Sequence, residues 1–192
     1  MTNDFYLRCD ELDALPAINR ENWLFELDLL EKILPKNSNV LQVGCMDGTR
    51  IIKLLERRPD LHMTGLDIEK EFLEIAERSF TKTGPQVRLI QADITKPQND
   101  LGHYDFVICL NNTLGYIAEA NTAIENMRRL SDTVIVSVYG EKFTDEVAKK
   151  YYDEIGLPAS ERNHVKRFTQ EEVTSWSNTI TKTPLGYFCV IN

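Results

Sequence analysis

The feature that most constrains the fold is an alternation of short apolar runs with longer amphipathic stretches. The apolar runs are rich in β-branched residues and nearly continuous, which is typical of parallel strands covered by helices on both faces. We predict five such strands, at residues 39–43, 62–67, 87–92, 105–110 and 133–138. The alternation therefore indicates an α/β protein with a doubly wound, mostly parallel sheet.

The C-terminal part departs from this alternation. Two strand-like pieces, at residues 178–183 and 186–191, are separated only by a short turn that contains Pro184 and Gly186. A connection this short can join antiparallel strands but not parallel ones. We therefore expect the last strand to run against the rest of the sheet.

Helices are indicated between and after the strands. Apolar side chains at helical spacing predict helices at residues 21–34 and at about 117–130. A polar helical stretch follows at 141–155. Thr169 and Glu172 form a Thr-x-x-Glu pattern that is typical of a helix N-terminus, so we expect a further helix to begin there.

The length of 192 residues fits one domain with a sizeable core. We therefore treat residues 1–192 as a single domain. Within it, residues 1–35 form an N-terminal helical cap, and residues 141–177 form an insert with helices after the fifth strand.

Charge and cysteine spacing exclude several classes of partner. The net charge of -8 argues against nucleic acid and anionic membranes as partners, because both need clustered Lys and Arg. No apolar run is long enough to cross a bilayer, and the N-terminus has no signal-peptide pattern, so we expect a cytoplasmic protein. The cysteines form no Cys-x-x-Cys pair and do not cluster with histidines, so no metal site is predicted. The cysteines are Cys9, Cys45, Cys109 and Cys189.

A glycine-containing turn, Gly44 to Gly48, joins the first predicted strand to the helix that follows. Glycine lets the backbone approach a ligand closely, and a helix N-terminus adds unpaired N–H donors. Asp67 ends the second strand about 20 residues later, where a carboxylate can accept both hydroxyls of a ribose. This spacing fits an adenosine-containing ligand, and by itself it fits a dinucleotide as well as S-adenosylmethionine (SAM).

Four stretches together resemble the motifs of class I SAM-dependent methyltransferases. VLQVGCMDGTRIIKLLE is similar to the first motif, GLDIEKEFLEIAE to the second, QADIT to the third, and YDFVICLNNTLGYI to the fourth motif of small-molecule members. The resemblance covers about residues 21–140. It implies a Rossmann-like methyltransferase fold with seven strands in the order 3-2-1-4-5-7-6, in which strand 7 is antiparallel. Ligands would then bind beyond the carboxyl ends of strands 1 and 4.

The resemblance also implies which residues hold SAM as the cofactor. Asp67 stands at the ribose position, Ile68 at the adenine-packing position, and Asp93 where it would accept from the adenine amino group. The cofactor-binding residues that we predict are Gly44, Cys45, Met46, Gly48, Asp67, Ile68, Asp93, Ile94 and Leu110. Cys45 and Met46 are expected to contact the ligand through the backbone. Two positions depart from the family pattern, because Gln42 replaces an acid and Met46 replaces the middle glycine.

Polar residues directly after the fourth strand are the candidates for contact with a methyl acceptor. We predict Asn111 and Tyr116 as catalytic residues, because side chains at this strand end lie over the crevice. A strong base is not obligatory for an acceptor amine that arrives neutral. Alternatively, Asn112 and Thr113 only cap the helix that follows.

Other residues also have a structural alternative. Asp67 could simply cap the helix after the second strand, and Asp93 could be an ordinary loop acid. Trp23 and Phe25, on the first helix, belong either to the core or to a lid over the site.

The function that this pattern favours is transfer of a methyl group from SAM to a small-molecule acceptor. A non-catalytic SAM-binding or scaffolding relative remains an alternative, and Gln42 and Met46 favour it. An NAD-dependent oxidoreductase is a second alternative. It predicts a parallel sixth strand and a Gly-x-Gly-x-x-Gly fingerprint, which the turn from Gly44 to Gly48 lacks. The sequence does not indicate the oligomeric state.

Overall fold

The computed structural model of the protein describes residue 13, residues 15–156 and residues 165–192. Seven strands form one sheet, with helices packed on both faces. The strands are β1 (Asn39–Val43), β2 (His62–Asp67), β3 (Arg88–Gln91), β4 (Phe106–Cys109), β5 (Val134–Tyr139), β6 (Thr179–Lys182) and β7 (Gly186–Ile191). The helices are α1 (Ala17–Ile33), α2 (Thr49–Arg57), α3 (Lys70–Thr83), α4 (Ala120–Leu130), α5 (Asp145–Glu154) and α6 (Gln170–Trp176), and a 3₁₀ helix spans Thr113–Tyr116.

The strand order is β3-β2-β1-β4-β5-β7-β6, which confirms the order implied by the resemblance. The pairs β1–β2, β1–β4, β2–β3 and β4–β5 are parallel. β7 is antiparallel to both β5 and β6, which confirms the predicted terminal hairpin. The order of the strands reverses between β1 and β4, so a crevice opens there beyond the carboxyl ends of the strands.

The largest differences from the predicted boundaries lie at the N-termini of helices. α1 begins at Ala17, directly after Pro16, rather than at residue 21. α4 begins at Ala120 rather than at residue 117, because the chain first makes the separate 3₁₀ turn and Ile117 is extended. α5 begins at Asp145 rather than at residue 141, where the Thr144 side chain caps the helix by accepting from a backbone N–H.

The N-terminus of α6 confirms the predicted capping pattern. The Thr169 hydroxyl accepts from the backbone N–H of Glu172 at 3.2 Å, and the Glu172 carboxylate accepts from the backbone N–H of Thr169 at 2.8 Å. The two bonds satisfy two donors that a helix otherwise leaves unpaired, and such a cap contributes about 1 kcal/mol.

The core consists of two apolar clusters, one on each face of the sheet. Side chains alternate along a strand, so Val40 of β1 packs in the first cluster and its neighbour Leu41 in the second. α1 covers the first cluster with Trp23 and Leu30, which are 1% and 0% exposed. Trp23 is therefore a core residue and not part of a lid. Within the described residues, no helix has the length and apolar character that a membrane span requires.

Candidate functional site

A cavity of about 440 Å³ opens at the carboxyl ends of the parallel strands, at the point where the strand order reverses. This is the edge where open α/β sheets bind their ligands. The lining residues are Val43, Gly44, Met46, Leu66, Asp67, Ile68, Glu69, Glu71, Phe72, Ala92, Asp93, Ile94, Asn111, Thr113, Tyr116, Ile117 and Tyr151. We call the ends of β1, β2 and β3, with Gly44–Gly48, Asp67–Glu69 and Asp93–Thr95, the β1–β3 rim. The ends of β4 and β5, with Asn111–Tyr116, Ser137 and Tyr139, are the β4–β5 rim.

Most of the predicted site residues line this cavity. Those that do are Gly44, Met46, Asp67, Ile68, Asp93, Ile94, Asn111 and Tyr116. Cys45, Gly48 and Leu110 do not line it. The structure therefore brings most of these residues to one cavity, whereas the sequence pattern does not distinguish residues that face the cavity from residues that pack behind it.

The three other residues support the loops from behind. Cys45 is only 1% exposed, and its Sγ lies so close to Gly65 that a Cβ there would approach it to 2.8 Å. Gly48 turns against Phe80 on α3, where a Cβ would lie 2.5 Å from a ring carbon. Leu110 is 4% exposed and belongs to the apolar cluster beneath α1.

Asp67 both caps a helix and faces the cavity. Its Oδ1 accepts from the backbone N–H of Glu69 at 3.0 Å, and its Oδ2 accepts from the N–H of Met46 at 2.9 Å. Burial raises the pKa of Asp67, and the N–H groups of Glu69, Met46 and Ile68 oppose that shift. Asp67 therefore caps the helix, as the capping alternative predicts. Its carboxylate also binds the glycine-containing turn through the Met46 N–H.

Asp93 lies in a turn, and the hydrogen bonds within that turn use only one of its two carboxylate oxygens. Its Oδ1 accepts from the backbone N–H and the hydroxyl of Thr95, at 2.9 and 2.7 Å. These two bonds lower the pKa of Asp93. Both bonds fall on one oxygen, so Oδ2 can accept a further donor from the cavity.

Three backbone donors of the glycine-containing turn are bound to backbone carbonyls of the protein. The N–H groups of Gly44 and Cys45 donate to Leu66 O at 2.8 and 3.1 Å, and the N–H of Gly48 donates to Cys45 O at 3.0 Å. Met46 has φ 47°, a left-handed conformation that costs a non-glycine residue about 1–2 kcal/mol. The sequence thus carries methionine at a position whose backbone conformation favours glycine.

Two consecutive asparagines shape the end of β4. Asn111 and Asn112 have φ 51° and 59°, both left-handed. Asn112 is 0% exposed, and its side chain accepts from the N–H of Tyr139 at 2.9 Å and donates to Lys166 O at 3.2 Å. It makes no side-chain cap to the 3₁₀ helix. The capping alternative for Asn112 is therefore wrong, because its amide joins β5 to the segment before α6.

Asn111 and Tyr116 form the cavity side of the β4–β5 rim. The Asn111 backbone N–H donates to Ser137 Oγ at 2.7 Å, and its Oδ1 accepts from the Tyr139 hydroxyl at 2.9 Å. Tyr116 is 54% exposed, and Ile68 on the opposite rim is 55% exposed. Both therefore offer apolar surface to a ligand that enters the cavity.

Glu26 is the residue that sequence reasoning missed. It lies on α1, is 1% exposed, and its Oε1 accepts from Ser137 Oγ at 2.8 Å. The available signal was that Asn19, Asn22 and Glu26 recur at helical spacing beside the apolar stripe of α1, which indicates a buried polar face. Tyr151, on α5 within the predicted insert, also lines the cavity.

The charge of the cavity has one sign. Four carboxyl side chains line it, from Asp67, Glu69, Glu71 and Asp93, and no Lys or Arg stands among its described lining residues.

Cys109 lies in the core below the cavity, where burial raises its pKa to about 12. Its thiol is therefore protonated at neutral pH and supplies no nucleophile. The parts of the chain that the structure describes contain no group of three or more metal-ligating side chains.

Comparison with known families agrees with this geometry. Residues 40–132 match a family described as "Methyltransferase domain". A carboxy-S-adenosyl-L-methionine synthase from Campylobacter concisus is 35% identical over 89 residues, which cover 46% of this chain and 37% of that protein. The putative methyltransferase YqeM from Bacillus subtilis is 26% identical over 99 residues, covering 52% of this chain and 39% of that protein. The alignments thus span less than half the length of these curated relatives.

Solved structures show the same fold. The methyltransferase domain of bacterial CtHen1-C superimposes with a TM-score of 0.67 at 15% identity, over 91% of this chain and 98% of that one. The sugar N-methyltransferase KedS8 from Streptoalloteichus sp. ATCC 53650 gives a TM-score of 0.51 at 21% identity, over 62% of this chain and 48% of that one. At these identities the likeness concerns the fold.

Proposed function

We propose that this chain, which belongs to the class I SAM-dependent methyltransferases, binds SAM in the cavity and transfers its methyl group to a small-molecule acceptor. The observation that carries the proposal is the position and charge of the cavity. It lies at the reversal of strand order, and four carboxyl groups line it without a described Lys or Arg. Such a cavity suits a cationic adenosine ligand.

The acidic lining of the cavity also favours SAM over a dinucleotide as the ligand. SAM carries a sulfonium and an ammonium group against one carboxylate, whereas NAD carries a pyrophosphate with two negative charges. Pyrophosphate sites use backbone N–H donors at a helix N-terminus, and the donors of this turn at Gly44, Cys45 and Gly48 are bound internally. Together with the antiparallel β7, these features weigh against the oxidoreductase alternative.

The residues of the β1–β3 rim fit an adenosine group. A carboxylate has about four acceptor positions. Each oxygen of Asp67 accepts one backbone N–H, so positions remain for the ribose hydroxyls. Asp93 keeps Oδ2 for an amino group, and Ile68 is exposed enough to pack against a base. We assign these three residues to the ribose, the adenine amino group and the adenine face.

SAM, when bound, supplies a methyl group that its positive sulfur has already activated. The task of the protein is then to hold the acceptor in line and to exclude water. We assign this task to Asn111 and Tyr116 on the β4–β5 rim, with Tyr151 facing the same cavity. Asn111→Ala should lower turnover more than affinity for SAM.

The volume of the cavity and the composition of the chain favour a small acceptor. About 440 Å³ lies in the usual range for small-molecule pockets. The net charge of -8 disfavours nucleic acid as the substrate. We extend the proposal to one domain over residues 1–192 and to a cytoplasmic location, the compartment in which buried thiols such as those of Cys109 and Cys189 stay reduced.

Calorimetric titration with S-adenosylhomocysteine, the product of SAM, tests the proposal, with NAD as the control on the same sample. Micromolar binding of S-adenosylhomocysteine alone would support it, and a screen of small acceptors with labelled SAM would follow. Binding of NAD alone, or of neither ligand, would overturn it. Binding of the product without turnover on any acceptor would instead favour a non-catalytic relative.

A further inference from the structure

Helix α1 buries polar side chains beside its apolar stripe. Asn19, Asn22 and Glu26 are 4%, 2% and 1% exposed. Burial of a carboxylate is costly unless hydrogen bonds and an opposite charge compensate it. The groups that bind Glu26 must therefore compensate the cost of burying its carboxylate, and they show which elements it connects.

The carboxylate of Glu26 has partners on three elements. Its Oε1 accepts from Asn22 Nδ2 on α1 and from Ser137 Oγ on β5, each at 2.8 Å. Arg50 on α2 places Nη1 at 3.5 Å from Oε2, and its guanidinium lies 4.3 Å from the ring centroid of Trp23. Arg50 is the one charged side chain that the described part of the chain places against Glu26.

Ser137 connects Glu26 to the β4–β5 rim. Its hydroxyl donates to Glu26 and accepts from the backbone N–H of Asn111 at 2.7 Å. Because the hydroxyl hydrogen points toward Glu26, a lone pair of the oxygen faces Asn111. Hydrogen bonds in such a chain polarise and strengthen one another.

Asn111 needs an external support of this kind. Its φ of 51° is left-handed, and Asn112 follows with 59°. Asparagine adopts this conformation more readily than most residues, but ordinarily as a single residue and not twice in succession. Such conformations persist where the surrounding structure holds them. Ser137 holds the backbone of Asn111, while the Asn111 side chain faces the cavity beside Tyr139.

From this geometry we propose that Glu26 is a positioning residue of the cavity, which acts through Ser137 to hold Asn111 in its left-handed conformation. Glu26 does not itself line the cavity. Its role in catalysis rests on the proposed function, whereas its hold on Asn111 is a property of the fold alone. The two can therefore be tested separately.

The first test follows the backbone N–H of Asn111 by NMR in protein labelled with ¹⁵N-asparagine. Ser137→Ala removes the acceptor and should lower the protection of this N–H from hydrogen exchange at least about tenfold. Glu26→Gln should shift its resonance. The double variant should add little to Ser137→Ala, because both changes interrupt one chain of bonds. Glu21→Gln, at an exposed position on the same helix, is the matched control and should change nothing.

The pH dependence of the Asn111 N–H resonance distinguishes a positioning role of Glu26 from a general contribution of Glu26 to the stability of the fold. Burial raises the pKa of Glu26, against the opposing effects of Arg50, Ser137, Asn22 and the Asn111 N–H. The Asn111 resonance should therefore titrate above the usual carboxyl range in the wild type, and this titration should be absent in Glu26→Gln. An Asn111 N–H that is indifferent to both Glu26→Gln and Ser137→Ala would overturn the proposal.

The catalytic consequence is measured once the acceptor screen has given a substrate. Glu26→Gln should lower kcat about tenfold and leave the KM for SAM within twofold, since Asn111 lies on the acceptor side. A rise in KM with kcat unchanged would contradict the positioning role. Failure of the wild type to bind S-adenosylhomocysteine would remove the proposed function, and the NMR result would still decide the link from Glu26 to Asn111.

Discussion

The two rims of the cavity are built in opposite ways. On the β1–β3 rim, Asp67 and Asp93 each accept from the backbone N–H two residues later, and Asp67 also accepts from the Met46 N–H of the same rim. On the β4–β5 rim, Asn111 is held by Ser137, 26 residues away, and Ser137 is held by Glu26, 111 residues away. The first rim is therefore held largely by its own loops, with one bond from Asn126 of α4 to Ile94 O at 2.9 Å, whereas the second needs α1 and β5 to be packed in place.

The largest expected effect comes from Asn112→Ala on the β4–β5 rim. The change removes a buried hydrogen bond from the Tyr139 N–H and a part-buried one to Lys166 O. We expect the free energy of unfolding to fall by about 3 kcal/mol. Urea denaturation, followed by circular dichroism, measures it.

Asp93→Ala is the matched variant on the β1–β3 rim. It removes only the local turn bonds to Thr95, and we expect a loss of about 1 kcal/mol. Equal losses in the Asn112 and Asp93 variants would show that the two rims do not differ in the way described.

The next effect concerns affinity. Asp67→Asn should weaken binding of S-adenosylhomocysteine about tenfold, or about 1.4 kcal/mol, because an amide accepts fewer hydrogen bonds than a carboxylate. Calorimetry measures the change. Asp105→Asn, a carboxylate at the opposite end of the sheet beside Asn39, is the control and should bind as the wild type does. An unchanged affinity in Asp67→Asn would remove this residue from the ribose site.

The rims should also respond to pH with opposite signs. Burial raises the pKa of Glu26 above the 4.5 of an ordinary glutamate, so the folded state holds that proton more tightly. Its contribution to stability is complete below about pH 4.5 and is lost as pH rises through the folded pKa, by up to about 1.4 kcal/mol per pH unit. Bonds from Thr95 lower the pKa of Asp93, so its contribution is present above the unfolded pKa and is lost on acidification.

Denaturation curves between pH 3 and pH 8 (about the range over which carboxyl groups titrate) check these signs. Subtracting the curve of Glu26→Gln from that of the wild type should leave a difference that falls as pH rises. The same subtraction with Asp93→Asn should leave a difference that falls as pH drops. Slopes of the same sign would refute the contrast.

The smallest effect is expected from Met46→Gly. Glycine relieves the left-handed strain at φ 47° by about 1–2 kcal/mol. It also raises the conformational entropy of the unfolded chain and removes the packing of the methionine side chain, and both effects oppose the gain. We expect the free energy of unfolding to change by less than about 1 kcal/mol. A marked gain in affinity for S-adenosylhomocysteine would show that the methionine obstructs the cavity.

The same contrast explains how much of the molecule could be predicted from its sequence. The bounds of β1 and β2 were predicted correctly, because apolar runs record local structure, and the strand order is the one that the resemblance implies. Asp67 and Asp93 were found because Asp67 ends its predicted strand and Asp93 directly follows the next one. They line the cavity as expected, and their contact with a cofactor stays a prediction.

The β4–β5 rim could not be predicted in the same way. Nothing near Glu26 in the sequence indicates Ser137 as its partner, since the pairing depends on how α1 crosses the sheet. The start of α4 was misplaced because the pattern that suggests a helix from residue 117 does not show the left-handed turn at Asn111 and Asn112. A helical period records which side chains are buried and not where the backbone bends.

The position of β7 sets the order in which the sheet can be completed. β7 lies between β5 and β6, and it is the strand with which β6 pairs in the described sheet. Until residues 186–191 have entered, β5 keeps an open edge and β6 has no neighbour, and an open edge can recruit a strand from another molecule. The β1–β3 half can form while the chain is still being made, whereas the half that carries the β4–β5 rim must wait for β7.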